Sequence, residues 1–272
     1  IGRGEGLFKA GVPETLQVTM KGSRPFSFGI HPLHETAENA DWVRLPSAKP
    51  WVVPGSALDF GSAAWFDAPA GKHGRELAKG QDFEFERLPG VSQRFLGVNL
   101  CMGANLPPEE AAPKFAANLR RLGYNAVRFH HHDGLLTEGS SDGVSLNPGN
   151  MRRFDRLAAA LIAEGIYLTT DLYVSRSVKW RQCGIDRNGG PKDNSEFKEM
   201  VLVHEGCYSN FIAYARNFLT HVNPFTGRSY AKEPALGFLS FVNEGCVGNK
   251  GMGFMKRHPV VTERWRAWLA GR

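Results

Sequence analysis

The chain has 272 residues, 42% hydrophobic and 11% aromatic, enough apolar material for a substantial buried core. Its formal charge is +6 and its pI near 9.2, but Lys and Arg are dispersed rather than gathered into a stripe, which argues against nucleic acid as a partner. No apolar run approaches a membrane span, and four irregularly spaced cysteines (Cys101, Cys183, Cys207 and Cys246) read as free thiols by default, a single disulfide being the alternative.

Residues 1–92 read as a β-rich accessory segment, with short alternating stretches such as Thr15 to Met20 and frequent Gly and Pro. Packing against the following domain is one role for it, and a small ligand-binding sandwich is another. Asp82 to Glu86 alternates as an edge strand does, and the boundary falls near Pro89-Gly90. From Arg94 onward, strand and helix patterns alternate, as expected of a parallel sheet with covering helices. The predicted strands are Arg94 to Leu100, Ala126 to His130, Ile166 to Leu172 and Leu236 to Asn243. The first connecting helix has Glu109 and Glu110 near its start and Pro113 in its first turn; it buries Phe115, Leu119 and Leu122, and Gly123 stops it. The second is capped by Asn150, buries Phe154, Leu157, Ala158, Leu161 and Ile162, and stops at Gly165. The third connection is a long polar loop, Arg176 to Asp193, followed by helical patterns at Phe197 to Val203 and Tyr208 to Val222. A last helical pattern covers Val261 to Leu269.

Chemistry concentrates where apolar strands end. Leu236 to Val242 runs into Asn243 and Glu244, and in a parallel α/β barrel polar residues at that end of a strand form the active site. Arg128 lies one alternation before His130 and points to the same side, so it needs a partner inside the fold. Asp171, at the end of the third strand, is the expected orienting acid for Arg128 or a histidine. The run His130-His131-His132-Asp133 invites a metal reading, but adjacent residues leaving a strand point in alternating directions and do not converge on one ion. No metal or other cofactor is therefore expected; His130 and His131 are expected to line a substrate subsite, with loop anchoring nearly as good a reading for His131. Tyr173 and Trp180 are candidate stacking platforms for a ligand, with core packing equally open.

The Asn243-Glu244 pair closing a strand resembles the fourth barrel strand of clan A glycoside hydrolases, and Asn125 to Arg128 resembles the Asn-x-x-Arg element on strand two of family 5. Arg94 to Cys101, Gly123 to Asp133, His221 to Gly227 and Pro234 to Glu244 together are similar to bacterial cellulase-like proteins of that family. The resemblance implies a TIM (β/α)8-type barrel over residues 93–272, a poly- or oligosaccharide substrate and a retaining double displacement. Glu244 would be the general acid/base, Asn243 would bond the sugar 2-hydroxyl, and Arg128 would brace the nucleophilic carboxylate. Tyr173 stands where that family often has a sugar-contacting His, a departure from its pattern. Export to the periplasm or medium, for polysaccharide degradation, is implied by the resemblance alone. Because such a barrel has eight strands and takes its nucleophile from the seventh, the four legible strands predict its N-terminal half, inactive and aggregation-prone without the C-terminal half. The rival functions are a non-catalytic carbohydrate-binding relative and a metal-dependent hydrolase built on His130 to Asp133.

Overall fold

The computed structural model describes residues 67–245, 253–254 and 256–272, together with the backbone of four short strands earlier in the chain. Those four form two antiparallel pairs, β1 (Arg3–Gly4) with β3 (Val18–Thr19) and β2 (Leu7–Lys9) with β4 (Trp42–Arg44). They belong to a first compact unit, Ile1–Leu58, while Asp59–Arg272 form a second. The rest of the alternating stretch Thr15 to Met20 lies outside the described residues, as does Cys246.

The second unit begins its described part with an antiparallel meander of β5 (Glu76–Lys79), β6 (Asp82–Phe85) and β7 (Leu88–Gln93). β6 is the middle strand, which corrects the edge position expected for Asp82 to Glu86. Alternation reports one buried face and carries no information on how many neighbours a strand has. Pro89 and Gly90 lie inside β7, at the margin of this sheet, where a missing N–H costs no ladder bond. Phe85 stacks on Tyr167 at 4.9 Å, and Phe83 and Phe95 meet Phe238 edge-on at 5.1 and 5.6 Å, which ties the meander to the larger sheet.

That larger sheet has four parallel strands in the order β13 (Leu236–Ser240), β10 (Tyr167–Asp171), β9 (Ala126–His130), β8 (Gly97–Cys101). β9 and β10 are flanked on both sides and are almost continuously buried, as parallel strands covered on both faces must be. β9 coincides with its predicted span, and β13 begins as predicted but leaves the ladder after Ser240. Asn243 nevertheless still donates its N–H to the Tyr173 carbonyl at 2.9 Å.

Helices α1 (Ala112–Arg121), α2 (Asp133–Leu136), α3 (Pro148–Ala163), α4 (Asn194–Val203) and α5 (Glu205–Thr220) fill the connections, and α6 (Pro259–Ala270) follows β13. Pro148 at the first position fixes where α3 starts, so its cap is Asn147, whose Oδ1 accepts from Asn150 N–H at 3.0 Å; the cap expected at Asn150 is therefore displaced by one turn. The Asn150 side chain instead donates to the Leu135 carbonyl at 2.8 Å, holding α2 to α3. Gly165 stops α3 with φ 80°, where a Cβ would lie 3.3 Å from the Ala68 backbone. Asp193 and His204 cap α4 and α5 by accepting from Glu196 and Cys207 N–H groups. β11 (Val222–Asn223) and β12 (Arg228–Ser229) form a small hairpin leading into β13.

Phe154 is the hinge of the core between α3 and the sheet: fully buried, it packs on Phe129 at 4.4 Å, Phe218 at 5.8 Å and Tyr230 at 5.8 Å. Phe154→Ala removes a ring from a site framed by other rings, and its expected cost is about 3–5 kcal/mol. Urea denaturation of the two chains measures it; a loss below about 1 kcal/mol would show that α3 contributes little to the cooperative core.

Candidate active site

The sheet's register decides which side chains meet at the carboxyl ends of its strands. Arg128 of β9 pairs with Thr169 of β10, and Asp171, two residues further on, lies on the same face. Asp171 therefore receives Arg128 in a forked contact, Nε to Oδ2 at 3.2 Å and Nη2 to Oδ1 at 2.8 Å. His130 Nδ1 lies 2.8 Å from Asp171 Oδ2. The Asp171 side chain has no exposed surface. Burial pushes its carboxyl pKa up, and the bonds and charges of Arg128 and His130 overcome that push, holding it below the usual carboxylate value.

Arg128 continues across the cleft, donating from Nη2 to Asn243 Oδ1 at 2.9 Å. One guanidinium thus joins the ends of β9 and β10 to the segment following β13. Glu244 comes next in the chain at φ 54°, its side chain 76% exposed and its Oε2 3.9 Å from Nζ of Lys198 on α4. Lys198 is itself nearly buried, at 6% exposure. Its charge also reaches His131: burial lowers the His131 pKa and the neighbouring His130 and Lys198 add to this, against the opposite pull of Asp133 and Asp171.

The run His130 to Asp133 fans out. His130 faces Asp171, and His131, at φ 53°, brings Nδ1 to 2.9 Å from Ser175 Oγ. His132 turns into the core, stacked on Phe154 at 5.3 Å, with Nε2 3.3 Å from Thr170 Oγ1. Asp133 accepts backbone N–H groups from Val174, Ser175 and Arg176 at 2.8, 3.0 and 2.9 Å, so it anchors the loop after β10. Among the described residues no group of three His, Cys, Asp or Glu side chains is disposed to hold a metal ion.

The two proposed aromatic platforms are core residues instead. Tyr173 is buried against Phe197 and donates its hydroxyl to the Arg176 carbonyl at 3.1 Å, and Trp180 is buried beneath the Arg187 guanidinium, 5.4 Å from its ring. Neither shows a ring face to a ligand, because both serve to pack the long loop. Lys198, Ser175 and Asn105 were not anticipated. Asn105, fully buried, donates to the His130 carbonyl at 2.7 Å and fixes the end of β9. Among the described residues, the non-glycine positions with positive φ are Met102, His131 and Glu244, each just past the carboxyl end of a parallel strand. Such conformations cost about 1–2 kcal/mol each, and all three gather at the end of the sheet that carries the Asp171, Arg128 and Asn243 cluster.

Several solved structures superpose on part of this chain. A glycoside hydrolase family 5 mannosidase from Rhizomucor miehei superposes with a TM-score of 0.50 at 14% identity, over 64% of this chain and 49% of that one. An endo-1,4-β-mannanase from the same organism gives 0.45 at 15% identity, over 62% and 48%. One from Thermotoga petrophila gives 0.41 at 20% identity, over 57% and 35%. The chain thus spans half or less of the length of these structures. No family model and no curated protein matches the sequence. At such identities the likeness speaks to fold alone: a mixed α/β chain whose parallel sheet is arranged as in family 5 barrels.

His132 supplies a pH test of this arrangement. Burial pushes its imidazole pKa from 6.5 down to about 4, so the unfolded chain takes up a proton before the folded one does. Its contribution to stability is complete above pH 6.5 and is lost as the pH falls toward about 4. His132→Phe keeps a ring against Phe154 and Phe218 and cannot titrate. Urea midpoints measured at neutral pH and near pH 5 should fall less for this variant than for the parent chain; equal falls would show that His132 is not buried in its neutral form.

Proposed function

We propose that this chain carries the acid/base half of a retaining glycoside hydrolase acting on a poly- or oligosaccharide. The observation that carries the reading is the Asp171, Arg128, Asn243 chain of hydrogen bonds at the carboxyl ends of parallel strands, with Glu244 adjacent to it. Asn243, its carbonyl oxygen held by Arg128, presents its amide N–H groups for the sugar 2-hydroxyl. His130 and His131 flank the same opening as donors to substrate hydroxyls. Glu244, the most open carboxylate of the cluster, delivers a proton to the glycosidic oxygen and then withdraws one from the incoming water, as the retaining mechanism requires. The nucleophilic carboxylate, placed roughly 5 Å from it in the retaining mechanism, belongs to chain beyond the four strands. The mannosidase likeness makes mannose-containing glycans the first substrates to try, and cello-oligosaccharides, suggested by the sequence resemblance, the second.

The exposure of Glu244 also suits a second reading, a barrel relative that binds sugar without cleaving it. One experiment separates them. Residues 1–272 and the product of the reading frame extended downstream are each assayed for reducing-end release from β-mannan and cello-oligosaccharides, with and without Glu244→Gln. The expected result is no hydrolysis by residues 1–272, hydrolysis by the extended protein, and a fall of roughly 10²–10⁴-fold in kcat on Glu244→Gln with KM little changed. Sugar binding without hydrolysis in the extended protein would favour the binder, and an unimpaired Glu244→Gln variant would remove Glu244 from the acid role.

A further inference from the structure

Two of the cysteines lie outside the cleft yet against one another. Cys183 ends the 3-10 turn Trp180–Cys183 in the long loop after β10, and Cys207 lies in the first turn of α5. Both are buried, at 3% and 0% exposure. Contacts that do not involve sulfur fix the turn on the helix. Asn210 Nδ2 donates to the Gln182 carbonyl at 3.3 Å, and Arg176 Nη2 reaches Asn210 Oδ1 at 2.9 Å. The Cys183 carbonyl presses so closely on Gly206 that a Cβ there would stand 1.8 Å from the oxygen, so the neighbouring residue, Cys207, cannot drift away from Cys183. The two side chains thus lie in one core cluster, close enough for each thiol to perturb the ionisation of the other.

We infer that Cys183 and Cys207 are a disulfide pair, closed by oxidants of the small-disulfide class and open when reduced. The thiolate of Cys183 attacks one sulfur of the oxidant, forming a mixed disulfide and releasing one thiolate. Cys207 then gives up its proton to that thiolate and attacks the Cys183 sulfur, forming the Cys183–Cys207 bond and expelling the oxidant's second thiolate, which takes the proton that Cys183 had lost. The protein loses two protons and two electrons, and the oxidant leaves as two thiols. This mutual perturbation sets the order, lowering the pKa of Cys183 and raising that of Cys207. Because both sulfurs are buried, exchange takes place during folding or when the loop opens locally. The bond would close a loop containing all of α4, and so would tie down the helix that carries Lys198 to Glu244.

The test uses residues 1–272 with Cys101→Ser and Cys246→Ser, alongside the unaltered chain. Each is treated with oxidised glutathione, then denatured, alkylated with iodoacetamide and mapped by peptide mass. A peptide joining Cys183 to Cys207, lighter by two hydrogens, is expected in both, with a Tm higher than that of the reduced chain by roughly 5–10 °C. Cys207→Ser should abolish both the joined peptide and the oxidation-dependent Tm shift. If Cys183 and Cys207 both carry the alkyl label after oxidation, or stop at separate glutathione adducts, or if Cys183 pairs with Cys101 or Cys246 in the unaltered chain, the assignment is overturned. Peptide mapping of the unaltered chain decides even if a variant folds poorly.

Discussion

A carboxylate with no surface in contact with water must find its solvent inside the protein, and Asp171 finds it in Arg128 and His130. Both partners come from one strand and their carboxylate from the next, so the cluster exists only while β9 and β10 keep their register. A slip of one residue would turn Arg128 and His130 into the packed face and leave Asp171 charged and alone. The cleft is therefore specified by strand pairing, and Asn243 acquires a fixed position only because the guanidinium already held by Asp171 has an N–H to spare.

A second buried acid does comparable work for the backbone. Asp133 gathers successive amides of Val174, Ser175 and Arg176, which positions the start of the long loop. Arg176 then runs inward, donating to Gly143 and Asn210 and lying over the ring of Tyr214 at 4.8 Å. Burial lowers its pKa, with the surrounding rings and Asp133 opposing the loss. The wall of the cleft is a loop in topology and a packed element in its energetics, which is why its aromatics point inward.

What could be read from the sequence followed from periodicity. β9 was legible to the residue because alternation, the Gly123 stop before it and the apolar pair Ala126-Val127 agree. Arg128 and Asp171 were legible as partners because both sit at inward positions of neighbouring strands. The histidines were harder, since the positive φ at His131 breaks the alternation that would have assigned their directions. Tyr173 and Trp180 were ambiguous because an aromatic side chain has the same identity in a core and on a platform; only tertiary placement separates the two. Lys198 gave no local signal at all, lying between Phe197 and Glu199 on a helix whose apolar stripe says nothing of where its one buried ammonium ends.

Met102, His131 and Glu244 occupy backbone positions that glycine would fill without strain. Keeping a side chain at three such places holds free energy in the folded state that a hardier scaffold would not carry. A variant library selected only for heat resistance should therefore drift toward Gly or Asn at these positions, and the drift would trace the rim of the cleft without any substrate being present.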